Sequence, residues 1–122
     1  MKKKVLVIEN DPDMLEFERL LLERAGYEVL EAESAREGIK IAISEKPDLI
    51  LTDIRLPNKK RGIGAAKILR KNDATRDIPI IFVTAYSATE NLKEVRNITK
   101  CCYIVKPFGV RVFLDTVKKF LA

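Results

Sequence analysis

Five short apolar runs, each followed by a segment with helical spacing, decide what this chain can fold into. In Lys4-Val5-Leu6-Val7-Ile8, Val5 to Ile8 is a continuous apolar run of the kind that forms a strand buried on both faces. Asp11 and Pro12 fit the N-cap and first turn of a helix. Met14, Leu15, Phe17, Leu21, Leu22 and Ala25 then recur with helical period, and Gly26 ends the helix. Tyr27 to Ala32 reads as a second strand. Ser34-Ala35-Arg36-Glu37 is a capping box. It opens a helix with Ile39, Ala42 and Ile43 inward, which Pro47 breaks. Asp48 to Thr52 is the third strand, Pro57 to Gly62 a loop, and Ile63 to Arg70 a helix weakened by Gly64. After the polar connection Asn72 to Asp77, Ile78 to Thr84 is the fourth strand. Ser87 to Glu90 is another capping box, before a short helix running toward Val95. Cys102 to Val105 is the fifth strand, and Val110, Phe113, Leu114, Val117, Phe120 and Leu121 mark a last helix.

Strands alternating with amphipathic helices imply a parallel sheet covered on both faces, an α/β fold. At 122 residues the expectation is one domain over 1–122. With 47% hydrophobic and 34% charged residues, the composition is that of a soluble globular protein and excludes a disordered chain or a cysteine scaffold. No apolar run is long enough to cross a bilayer, and Glu9 interrupts the first apolar stretch too early for a secretory signal. The chain has no histidine, which removes histidine catalysis and histidine-ligated metals. The formal charge is +5. The excess sits partly in Lys2-Lys3-Lys4, Lys59-Lys60-Arg61 and Lys118-Lys119, short scattered clusters that read as solvated surface rather than a nucleic-acid footprint. Cys101 and Cys102 are adjacent and expected to be reduced thiols of a cytoplasmic protein.

In such sheets ligands bind beyond the carboxyl ends of the strands. The first strand ends in Glu9-Asn10-Asp11, the third in Asp53, the fourth in Thr84 and the fifth in Lys106-Pro107. Carboxylates hold a hard cation such as Mg²⁺. An aspartate among them can act as a nucleophile and form an acyl phosphate, while the metal, a lysine and a hydroxyl orient the phosphoryl oxygens. Taken singly, each residue has a bland explanation: Asp53 a turn cap, Thr84 a strand threonine, Lys106 a solvated edge. Asp11 is best explained as the N-cap. Jointly, at the ends of neighbouring strands, coincidence explains them poorly.

These residues resemble the receiver domain of bacterial two-component response regulators. The resemblance spans essentially the whole chain and rests on VLVIEND at 5–11, LILTDIRLP at 49–57, IPIIFVTAY at 78–86 and YIVKPF at 103–108. It implies a flavodoxin-like, doubly wound sheet of five parallel strands in the order 2-1-3-4-5, with five helices. It also implies Mg²⁺-dependent transfer of a phosphoryl group from the phosphohistidine of a sensor histidine kinase or phosphotransfer protein onto Asp53. Lys106 and Thr84 would contact the phosphoryl group. Glu9, Asn10, Asp53 and the backbone carbonyl of Arg55 would form the metal site, with Asp11 as a further candidate. Thr84 and Tyr103 would form a conformational switch. The family is not classed as enzymatic; the domain assists its own phosphorylation. The resemblance also implies homodimer or output contacts through the fourth helix, fifth strand and fifth helix.

Three departures qualify the resemblance. The usual pair of acids after the first strand is Glu9-Asn10 here, which predicts weaker Mg²⁺ binding and slower phosphorylation. The loop after Pro57 carries three cations and one extra residue. Ile98 to Cys102 replaces the usual glycine-containing turn. The alternative reading is therefore a degenerate receiver that docks without phosphorylation. A flavin protein of similar architecture is disfavoured, because Glu9-Asn10-Asp11-Pro12 would repel a phosphate.

Overall fold

The computed structural model describes residues 2–53, 61–85 and 92–121. Strands β1 (Lys4–Ile8), β2 (Glu28–Ala32), β3 (Leu49–Asp53), β4 (Ile80–Ala85) and β5 (Cys101–Lys106) alternate with helices α1 (Pro12–Arg24), α2 (Ala35–Glu45), α3 (Arg61–Lys71), α4 (Leu92–Arg96) and α5 (Val110–Leu121). All strand pairs are parallel and the order is β2-β1-β3-β4-β5, as the resemblance implied. The order reverses between β1 and β3, which opens a crevice at their carboxyl ends.

The continuous apolar strands divide their side chains between two cores. Leu6, Ile8, Ile50, Ile80 and Phe82 pack with Ala35, Ala42, Ile63, Ala65, Ala66, Leu69 and Val95 on the α2, α3 and α4 side. Val5, Val7, Leu49, Leu51, Ile81 and Ile104 pack with Leu15, Leu22, Phe113 and Val117 on the α1 and α5 side. This is why β1, β3 and β4 read as unbroken hydrophobic runs rather than alternating ones.

The capping signals operate largely as written. Asp11 Oδ1 accepts from the Asp13 N–H at 3.0 Å, with Pro12 as the first helical residue. Ser34 Oγ accepts from the Glu37 N–H at 3.1 Å, while Glu37 Oε1 reaches back to the Glu33 N–H at 3.2 Å. Gly26 follows α1 at φ +95°, a conformation that L side chains rarely adopt.

Several expected boundaries shift for identifiable reasons. Tyr27 lies before β2 because its N–H closes the turn on the Leu22 carbonyl at 3.1 Å. Ile78 lies before β4, its N–H bonded to the Thr75 carbonyl at 3.1 Å, and Pro79 has no N–H to offer a ladder. β3 and β5 run on through Asp53 and Lys106. α3 begins at Arg61, so Gly62 is helical rather than the end of a loop; burial of Ile63, Ala65, Ala66 and Leu69 overrides the glycine penalty. The box at Ser87 to Glu90 lies outside the described residues.

Four positions of the expected apolar stripes are corrected, Ala25 and Val110 being exposed along with the two that follow. Phe17 is exposed, and its ring stacks sideways on Phe108, which stacks on Phe113. Ile43 is also exposed, because α2 presents Ala35, Gly38 and Ala42 to the sheet. Gly38 permits that close approach. A Cβ there would lie 2.7 Å from Ile8 Cγ1 and closer still to Cδ1. Gly38→Ala is expected to destabilise the fold by about 2 kcal/mol despite its better helix propensity. Ile8→Val in the same chain should return part of that loss. Urea titration of the two variants and the wild type checks this.

Candidate functional site

Lys106 ends β5 and reaches across the switch-point crevice. Its Nζ donates to Asp53 Oδ2 at 3.1 Å and to Glu9 Oε1 at 3.3 Å, so residues far apart in sequence meet on one ammonium. Asp53 ends β3 and Glu9 directly follows β1, whose buried run carries the carboxylate to the rim. Glu9 is held further. Its N–H donates to the Ala32 carbonyl at 3.0 Å, and its Oε2 accepts from the Asp11 N–H at 3.2 Å. Glu9 is 4% exposed, and the Lys106 and Asp53 side chains 20% and 13%. The cluster is thus sheltered, with the Lys106 and Asp53 side chains partly exposed. Burial pushes the Lys106 ammonium down, but the charges and hydrogen bonds of Asp53 and Glu9 outweigh it and hold the group above its ordinary value. The Lys106–Pro107 bond is cis.

The other expected site residues are less tightly gathered. Asn10 is exposed at the rim. Asp11 is exposed and spends its carboxylate on the helix cap. Thr84 is buried, and its hydroxyl donates to the Ala85 carbonyl at 3.4 Å. Tyr103 is half-buried on β5, packed against the core beside α4 and paired in register with Phe82. Arg55, Lys59 and Lys60 lie outside the described residues.

Two features escaped the sequence reading. Glu18 is 1% exposed on α1, in line with Leu15 and Leu22. Burial, reinforced by Glu9, pushes its carboxyl up to about 8 against the opposing pull of Lys106. The spacing 15, 18, 22 was a visible signal of a buried stripe with an acid inside it. Arg70 is the second. It donates to the Thr99 carbonyl at 2.8 Å and the Lys100 carbonyl at 3.2 Å. That clamp holds the turn where Lys100 takes φ +55°, a left-handed conformation that favours glycine. The cysteines follow this turn as free thiols. Burial pushes both up, Cys102 to about 11, which leaves little nucleophilic thiolate. A hollow of about 330 Å³ lined by Lys67, Arg70, Lys71, Asn97, Ile98 and Thr99 lies at the opposite end of the sheet from the acids.

The donor set suits a hard cation. Glu9 and Asp53 already share one positive group, and oxygen is what such a cation prefers. Among the described residues no three acids or cysteines lie close enough to hold a metal ion by themselves. A cation there would keep several waters, as Mg²⁺ does.

The sequence pattern of the response regulator receiver domain matches residues 5–118. The chain belongs to the response regulator receiver family. The receiver is 35% identical over 121 residues to the polar-differentiation response regulator DivK of Brucella anthropi, covering 99% of this chain and 98% of that one. Its fold matches a CheY-like receiver domain protein from Methanospirillum hungatei with a TM-score of 0.90, at 31% identity over 99% of this chain and 94% of that one. The receiver domain of the sensor histidine kinase PA1611 from Pseudomonas aeruginosa, with a magnesium ion in its active-site cleft, shares the fold at a TM-score of 0.88. That domain is 23% identical, over 99% of this chain and 98% of the other. The receiver is thus a phosphoacceptor signalling domain of the two-component type. Among the described residues no helix is long and apolar enough to cross a membrane.

Proposed function

We propose that Asp53 is the phosphoacceptor of this receiver and that 1–122 acts as one domain. The observation that carries the proposal is the Lys106 ammonium bound to Asp53 and Glu9 at the switch point. An attacking carboxylate needs a cation to neutralise the incoming phosphoryl oxygens and a second group to hold them in line. Lys106 sits where it can do the second. Bound Mg²⁺ would supply Lewis-acid neutralisation of the phosphoryl oxygens, with Glu9, Asp53, Asn10 and the Arg55 carbonyl as its holders. Asn10 lacks a charge beside the cation, so the affinity is weak. Thr84 would give up the Ala85 carbonyl to bond a phosphoryl oxygen, and Tyr103, on the same sheet face, would turn into the vacated space.

The donor is the phosphohistidine of a sensor histidine kinase or phosphotransfer protein, the setting is cytoplasmic, and the output is docking rather than catalysis. Output or homodimer contacts run through α4, β5 and α5. The degenerate reading keeps one supporting observation, the exposed Asn10. Incubation with acetyl phosphate decides between them. The wild type is expected to gain a phosphoryl adduct by intact mass only with Mg²⁺, and Asp53→Asn to gain none. No adduct at any Mg²⁺ concentration establishes the docking reading instead.

A further inference from the structure

Leu15, Glu18 and Leu22 form the buried line of α1. The two leucines belong to the core beside α5, yet between them stands a carboxyl 1% exposed. Its Oε2 is buried and has no hydrogen-bond partner. An acid so placed costs stability unless something uses its charge. Its surroundings say what. α1 starts at the rim, and helical side chains lean toward the helix N-terminus, so Glu18 leans toward the strand ends. Burial is the main push on its carboxyl, and the charges of Glu9, Lys106 and Asp53 at the strand ends reach it as lesser contributions.

We propose that Glu18 is a third acid of the phosphorylation pocket, a positioning residue whose buried carboxyl supplies the negative charge that Asn10 lacks when a divalent cation arrives. This deepens the function proposed above and rests on it. The formal charges of Glu9, Asp53 and Lys106 sum to one negative charge in the pocket. A divalent cation reverses that sign, and an ionised Glu18 restores neutrality. The carboxyl acts through the low-dielectric interior rather than as a ligand.

Isothermal titration calorimetry of the full chain with MgCl₂ at about pH 6 and about pH 8 tests this. Glu18→Gln keeps the shape and removes the charge. It is expected to weaken Mg²⁺ binding roughly ten-fold at the higher pH and much less at the lower. Adding Asn10→Asp to Glu18→Gln should restore the affinity. Glu18→Leu carries the same expectation, so a folding failure of one variant leaves the other to decide. Unchanged affinity in the variants overturns the inference, as does an equal loss at both pH values, which would mark a packing effect. A wild type that binds no Mg²⁺ at either pH overturns the magnesium-dependent function itself, a different outcome from binding that ignores Glu18.

Discussion

Glu18→Leu is expected to make the metal-free protein more stable, and the gain should grow with pH. The folded carboxyl is pushed from 4.5 up to about 8, chiefly by burial. A raised pKa means that the folded state holds the proton more tightly than the unfolded state. The native state therefore keeps its full stability below about pH 4.5 and loses it as pH climbs through 8. The loss reaches roughly 4 kcal/mol at the top of that window. With no histidine in the chain, the side chain that usually titrates in this range is absent. The wild type should therefore show a falling urea midpoint between about pH 5 and 8 in EDTA, while Glu18→Leu stays nearly flat. Parallel curves for the two proteins would show that Glu18 is not strained by its surroundings.

Lys106→Met should do the reverse. It keeps most of the side chain's packing but strands Glu9 and Asp53 without the shared ammonium. Breaking one partner from a largely buried ionic cluster costs about 3 kcal/mol, and these two acids are 4% and 13% exposed. Mg²⁺ is expected to return much of the loss, since a divalent cation can stand where the ammonium stood. The check is thermal melting of wild type and variant with and without MgCl₂. The variant should be the more strongly stabilised by the ion. Equal stabilisation would mean that the cation does not take the place of Lys106.

The contrast between these two residues explains what the sequence could disclose. The strands were legible because both faces are buried, so β1, β3 and β4 spell unbroken apolar runs. Asp53, Glu9 and Lys106 were legible because each follows such a run at the end where ligands bind. Glu18 was not, because a charged residue within an amphipathic stripe is normally read as part of the solvent face. Phe17 and Ile43 misled for the complementary reason: their hydrophobicity placed them inward. The actual rotation of each helix is set by small residues, Gly38 above all, and by the ring stack through Phe108. Arg70 could not be anticipated from spacing, since its partners lie about thirty residues away.

Strand β5 is fastened at both ends by long cationic side chains. Arg70 grips the carbonyls before its first residue, and Lys106, its last, is tied to the acids of the crevice. The lower anchor grips backbone carbonyls, whereas the upper one consists of exchangeable charges. Anything that rearranges those charges finds the far end of the strand already braced. A change of charge at Lys106 therefore acts on a strand that is paired with β4 along its whole length and shares a surface with α4.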